Sequence, residues 1–143
     1  MYKLFIVDDE PPARNGLRDY FNWSQYGIEV VGEGDDGESS FQEICEKKPD
    51  ILITDVRMPN MDGMELSRRL RSILPGIKII FISAYSEIEY MKSALEVDAV
   101  DYILKPINMD TLHTIIGKTV KQLNEEKKQQ ELIAQMNEKL KFS

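Results

Sequence analysis

The chain has 143 residues, 42% hydrophobic and 30% charged, which is the size of one ordinary domain with enough apolar side chains for a core. Its net charge of −7 argues against this piece gripping nucleic-acid phosphates by itself. No apolar run approaches the roughly 20 residues that cross a bilayer. Acids interrupt the start MYKLFIVDDE where a secretory core would continue, and the lone Cys45 excludes an internal disulfide, so a cytoplasmic location and no membrane partner are expected.

Short apolar runs alternate with amphipathic stretches along the chain. Tyr2-Lys3-Leu4-Phe5-Ile6-Val7 is the first run, followed by a helix-length segment with Leu17, Tyr20 and Phe21 at helical spacing. Ile28-Glu29-Val30-Val31 follows, then a helix marked by Phe41, Ile44 and Cys45; Trp23 is expected to pack where the first helix ends. Ile51-Leu52-Ile53-Thr54 precedes a helix with Leu66, Leu70 and Ile73. Ile77-Lys78-Ile79-Ile80-Phe81-Ile82 precedes one with Met91, Ala94 and Leu95, and Val100-Asp101-Tyr102-Ile103-Leu104 is the fifth run. The runs are β-branched and short, as strands buried on both faces are. Their alternation with helices predicts an α/β fold, a doubly wound five-stranded parallel sheet with helices on both sides.

The last segment changes character. From Asn108 to Ser143 it holds six basic and five acidic residues, a net of +1, so residues 1–107 carry −8. A single helix over Met109–Lys141 would be about 50 Å long. Its first part offers Leu112, Ile115, Ile116, Val120 and Leu123 to the sheet; Asn124 to Glu131 is polar, and Ile133, Met136 and Leu140 restore an apolar stripe. Residues 1–122 are therefore read as the domain and 123–143 as a helical linker with weak coiled-coil character, a solvated helix end being the plainer alternative. His113, the single histidine, is expected to be solvated.

A doubly wound sheet binds its ligand at the carboxyl ends of the strands, at the topological switch point. Here Asp8, Asp9 and Glu10 follow the first run, Asp55 the third, Ser83 the fourth and Lys105 the fifth. An acidic pair at a strand end is ordinarily a solvated loop, and a single lysine an ordinary surface residue. Convergence at four strand ends makes a site the better reading. Three close carboxylates repel one another unless a cation is present. Hard oxygen ligands with room for water suit Mg²⁺, and a carboxylate beside Mg²⁺ can accept a phosphoryl group.

The runs Ile6-Val7-Asp8-Asp9-Glu10, Thr54-Asp55-Val56-Arg57-Met58-Pro59-Asn60-Met61-Asp62-Gly63, Ser83-Ala84-Tyr85 and Asp101-Tyr102-Ile103-Leu104-Lys105-Pro106 resemble the receiver domains of two-component response regulators. The resemblance covers residues 2 to about 120 and implies a flavodoxin-like strand order 2-1-3-4-5. The Phe21-Asn22-Trp23 segment with Gly27-Ile28-Glu29-Val30-Val31-Gly32-Glu33 is similar to the subgroup whose full-length members carry an AraC-type DNA-binding domain.

The resemblance implies that Asp55 takes a phosphoryl group from the phosphohistidine of a sensor histidine kinase. Asp9, Asp55 and the backbone carbonyl of Arg57 would hold Mg²⁺, with Asp8 helping through water. Ser83 and Lys105 would hold phosphoryl oxygens, Tyr102 would act as an aromatic switch, and Lys105-Pro106 would be a cis peptide. It further implies a signalling domain that assists its own phosphotransfer and dephosphorylation. The expected output is a homodimer on phosphorylation, built on the fourth helix (about Glu87–Glu96), the fifth strand and the last helix. DNA would be met only through an effector domain absent from this chain.

Three departures stand out. Asp98 occupies a position that is glycine in many members, and should tolerate a left-handed backbone. Ser83 replaces the commoner threonine, and Arg57 and Tyr85 fill positions that tune phosphate lifetime. Two other classes are weighed. A Mg²⁺-dependent aspartyl-phosphate phosphatase would usually have a second acid two residues after the nucleophile, where Arg57 stands. A flavin or nucleotide module would need a glycine-rich loop where Asp8-Asp9-Glu10-Pro11-Pro12 stands. A receiver that no longer accepts phosphate is disfavoured by the complete set of Asp8, Asp9, Asp55, Ser83 and Lys105.

Overall fold

The computed structural model describes residues 1–84 and 88–141, without the side chains of 88–91. Tyr85 and Glu87, read above as a tuning position and a helix start, therefore lie outside the described residues. The elements run β1 (Tyr2–Val7), α1 (Pro11–Tyr20), a short 3-10 turn (Trp23–Tyr26), β2 (Ile28–Gly34), α2 (Gly37–Lys47), β3 (Ile51–Asp55), α3 (Gly63–Ile73), β4 (Lys78–Ser83), α4 (Ile88–Glu96), β5 (Asp101–Leu104) and α5 (Met109–Lys141). Five parallel strands form one sheet in the order β2-β1-β3-β4-β5, as expected.

Alternation along each strand splits the core in two. Leu4, Ile6, Ile51, Ile53, Ile80, Ile82 and Ile103 face Leu17 of α1 and Leu112, Ile115 and Ile116 of α5. Phe5, Val7, Leu52, Ile79 and Phe81 face Ile44 of α2, Met64, Leu66 and Leu70 of α3, and Ala94 and Val97 near α4. Strands covered on both faces need no polar alternation, which is why their sequence reads as continuous apolar runs. Each large core side chain buried this way contributes about 1.5–3 kcal/mol.

Several expectations about faces are corrected. Tyr20 and Leu95 are 84% and 81% exposed, and Ile73 is also exposed, although each fits a helical apolar spacing. Tyr20 and Ile73 are the last residues of their helices, where the chain is already leaving the sheet. Phe21 is the C-cap of α1 and is buried from there. His113 is half-buried rather than solvated: its ring lies 4.4 Å from that of Phe21, and its Nδ1 is 2.7 Å from the Tyr26 hydroxyl. Trp23 is buried at the end of α1 and donates its indole N–H to the Leu17 carbonyl at 2.8 Å.

The helix α5 is one element of 33 residues. Tyr2 on β1 donates its hydroxyl to the Asn124 side chain, and Lys78 on β4 pairs with Glu126. From Asn124 onward every described residue of α5 is exposed, including Leu132, Ile133, Met136 and Leu140. At 100° per residue these four share one stripe about 100° wide. No helix among the described residues is long and apolar enough to cross a membrane.

Two aspartates start helices beside the sheet edge: Asp36 accepts from Ser39 N–H and Asp62 from Glu65 N–H, both at 2.9 Å. The loop between Asp55 and α3 is held tightly. Gly63 N–H donates to the Val56 carbonyl at 2.8 Å, and a Cβ on Gly63 would sit 2.0 Å from the Asp55 carbonyl oxygen. Backbone on backbone leaves that clash no flexible end to yield, so glycine is required here.

Gly63→Ala should therefore cost about 1–3 kcal/mol, as overpacking does. Urea unfolding checks this, with a lower midpoint at unchanged slope. Gly76→Ala is the control, since a Cβ there meets nothing within 4 Å. Equal midpoints for the two variants would contradict the packing argument.

Candidate functional site

The strand order places the chain reversal between β1 and β3, so their carboxyl ends lie side by side and Val7 registers with Thr54. The residues that follow, Asp8 and Asp9, thereby meet Asp55, the last residue of β3. Ser83 ends β4 in register with Leu104, and the next residue, Lys105, donates its backbone N–H to the Ser83 carbonyl at 2.8 Å. Lys105 is followed by a cis peptide to Pro106, as expected. Asp98, at the expected position of left-handed backbone, has φ +52°.

Carboxylate oxygens of Asp8, Asp9, Glu10 and Asp55 all lie within 4.8 Å of one another. Two unit charges about 4 Å apart interact by about 4 kcal/mol at the effective dielectric near a protein surface. One cation meets this charge among the described contacts. The Lys105 ammonium is 2.9 Å from Asp55 Oδ2, 3.0 Å from Glu10 Oε1 and 3.0 Å from Asp8 Oδ2. Burial would depress the Lys105 pKa, but the contacts with Asp55, Glu10 and Asp8 outweigh it and hold the ammonium above the ordinary lysine range.

Asp8 is wholly buried, Asp55 nearly so, and Asp9 and Glu10 are exposed. Burial pushes the Asp8 carboxyl above its usual range. The Glu10 N–H, 2.9 Å from Oδ1, and the Lys105 ammonium pull it back, while the neighbouring Asp55 raises it further. Asp8 Oδ2 makes an ion-pair contact with Lys105 but no well-formed hydrogen bond, so one buried carboxylate oxygen lacks a directional partner. A buried, under-satisfied oxygen beside three further carboxylates fits a hard divalent cation with part of its water shell, as Mg²⁺ has.

Arg57 and Ser83 follow β3 and end β4 at this edge, and Tyr102 stands on β5. The Arg57 N–H donates to Asp55 Oδ1 at 3.2 Å, so the chain curls over the carboxylate. The Ser83 side chain is buried at the same edge. Tyr102 lies on β5, partly buried against the α2–α4 face, in register with Phe81.

Two residues with no role in the sequence reading belong to the site. Glu10 is the third partner of Lys105. Arg14 donates from its guanidinium to the Asp8 carbonyl at 2.7 Å, fixing the turn that carries both acids. Glu10 was visible as the third acid of a run; nothing in the spacing indicated that it would face Lys105, 95 residues away.

A family model described as "Response regulator receiver domain" matches residues 4–117. The chain is 32% identical over 123 residues to the uncharacterized transcriptional regulatory protein YesN of Bacillus subtilis, covering 86% of this chain and 33% of that protein. It is 33% identical over 129 residues to the transcriptional regulatory protein HptR of Staphylococcus aureus, covering 90% of this chain and 50% of that protein. It thus spans between a third and a half of the length of these relatives. The receiver domain of AraT, a response regulator from Geobacillus stearothermophilus, superposes with a TM-score of 0.84 at 34% identity, over 88% of this chain and 98% of that one. A LuxR-family DNA-binding response regulator from Staphylococcus aureus gives 0.75 at 26% identity, over 84% and 99%. Receiver domains bind Mg²⁺ at an acidic pocket and interact with histidine kinases, and they are signalling domains rather than classical enzymes. With the family model spanning most of the chain, the fold and the relatives agree: the chain belongs to the response regulator receiver domain family of two-component systems.

Proposed function

We propose that the chain is a phosphorylation-dependent switch in which the Asp55 carboxylate accepts a phosphoryl group from a sensor histidine kinase. The observation that carries this reading is the Lys105 ammonium set 2.9 Å from Asp55 Oδ2 at the carboxyl edge of the sheet, with Asp8 beside it. The residues that would hold Mg²⁺ are Asp9, Asp55 and the Arg57 backbone carbonyl, with Asp8 acting through water. When bound, the ion supplies positive charge for phosphoryl oxygens. Phosphorylation adds about −1.5 to −2 charges to a pocket already acidic, so Lys105 turns towards the new oxygens and Ser83 contributes a hydroxyl. The chain's own groups position the acceptor and assist its later hydrolysis.

The readout runs through Ser83, Tyr102 and the α4–β5–α5 side, a bistable element biased by a few kcal/mol rather than refolded. Exposed Leu95 on α4 and Leu104 on β5 support that side as the output surface. The exposed apolar stripe of α5 supports 123–143 as a linker helix whose two copies lie side by side in a phosphorylated homodimer. Relatives two to three times as long, named as transcriptional regulators, support an effector domain that binds DNA and regulates transcription. The Phe21-Asn22-Trp23 and Gly27–Glu33 segments favour an AraC-type effector. Such a switch works in the cytoplasm, where kinase and DNA meet.

Three measurements test this. Acetyl phosphate with Mg²⁺ should add one phosphoryl mass to the wild type and none to Asp55→Asn, read by intact mass spectrometry; a gain that survives in the variant excludes the assignment.

The second concerns pH. Asp8 has a raised pKa in the fold, so its contribution to stability is full below the ordinary carboxylate range and is lost as pH rises through the elevated value. Asp8→Asn should therefore raise the urea midpoint of metal-free protein near neutral pH, a gain that vanishes in acid. Mg²⁺ at ten times its Kd should stabilise the wild type by about 1.4 kcal/mol, and Asp8→Asn less at the same concentration. A lower midpoint for the variant in metal-free buffer would contradict the electrostatic account.

Third, sedimentation velocity should show a monomer shifting to a dimer on adding beryllofluoride and Mg²⁺. An unchanged monomer at high concentration refutes dimer-based output.

A further inference from the structure

Glu10 has a backbone role and a separate side-chain role. Its backbone stands at the N-cap of α1 ahead of Pro11, but its side chain makes no capping hydrogen bond. Its N–H is committed to Asp8 Oδ1. The carboxylate turns instead to Lys105 Nζ at 3.0 Å, where it is 64% exposed while the lysine side chain is 13% exposed. Among the described residues, Glu10 and Asp55 accept the well-formed hydrogen bonds of that ammonium, whereas the Asp8 contact lacks hydrogen-bond geometry. An ammonium has three donors and no acceptor, and three carboxylate oxygens already lie within 3.0 Å of this one, so a phosphoryl oxygen would compete with them for its charge.

We propose that Glu10 is a positioning residue that holds Lys105 in a resting pose and competes with an incoming phosphoryl group for its charge. This rests on the reading of Asp55 as acceptor. In the resting state the ammonium is shared between Asp55 and Glu10. Once Asp55 carries phosphoryl oxygens, Lys105 must serve them, and the Glu10 contact is weakened or lost. A contact made in one state and not in the other shifts the equilibrium by its own worth. Because Glu10 is exposed, that worth is that of a solvent-screened pair, and the effect is a modest brake. Glu10 thus tunes how readily this domain takes up a phosphoryl group, without touching the transferred group.

The probe is beryllofluoride titrated into the full chain at saturating Mg²⁺ and followed by fluorine NMR, for wild type, Glu10→Gln and Glu10→Asp. Glu10→Gln should bind roughly two- to fivefold more tightly than wild type. Glu10→Asp, one methylene too short to reach Lys105 but still charged, should bind as Glu10→Gln does. In metal-free protein the Lys105 ammonium resonance should be protected from water exchange in wild type, and broadened in both variants. A Glu10→Gln affinity equal to or below wild type overturns the proposal. So does a Glu10→Asp affinity equal to wild type, which would mean simple repulsion between Glu10 and the anion, and so does an unchanged ammonium resonance. If wild type itself fails to bind beryllofluoride, the reading of Asp55 falls and this proposal with it.

Discussion

One ammonium among three carboxylates organises this molecule. Lys105 reaches Asp8, Glu10 and Asp55 at about hydrogen-bond distance, at the edge where four strands deliver polar residues. Without it, buried Asp8 and Asp55 would lose the one ammonium that the described contacts place against both. A buried charge is tolerated only when paired and hydrogen-bonded, and here one oxygen of Asp8 stays short of a directional partner. The pocket is therefore under-neutralised at rest. That makes it receptive to a divalent cation, and it makes the position of a single lysine sensitive to any new anionic group.

The rest of the fold serves to bring that lysine to those acids. Parallel pairing sets Val7 beside Thr54 and Ser83 beside Leu104, so the residues that follow each pair emerge on the same edge. The two apolar faces fix the register, because a slip of one residue would exchange the α1–α5 set with the α2–α4 set. Gly63 lets α3 start against the Asp55 carbonyl, and Arg14 braces the turn after β1 through the Asp8 carbonyl. Asn124 and Glu126 tie α5 to β1 and β4 at the opposite end of the sheet, so the exposed stretch of α5 leaves from a fixed point.

Strand identity and the acidic edge were legible in the sequence because each depends on a strong periodic or positional signal, while strand order followed from the resemblance to receiver domains. Five β-branched runs marked the sheet, and the acids, serine and lysine after them marked the candidate site. The extent of α5 was also legible, since no proline interrupts Met109–Lys141. What failed were side-chain environments at element ends. Tyr20 and Leu95 kept the helical spacing yet face solvent, and His113 looked solvated yet packs its ring against Phe21. Spacing along one helix does not say where the neighbouring element stops. Glu10 shows the same limit at the site, because its partner is fixed by tertiary geometry and not by its neighbours in sequence. Residue types pointed to the candidate chemistry, whereas the contact between Glu10 and Lys105, 95 positions apart, left no mark in them.

The central claim is that the carboxylate at the end of β3, and not one of the acids beside it, forms the acyl phosphate. Borohydride reduces such an acyl phosphate to the corresponding alcohol and so marks the acceptor covalently. After treatment with acetyl phosphate and Mg²⁺, reduction and peptide mass mapping should find homoserine at position 55 and aspartate retained at positions 8 and 9. Reduction at position 8, 9 or 10, or an unmodified residue 55 in protein that carries a phosphoryl group, would contradict the account.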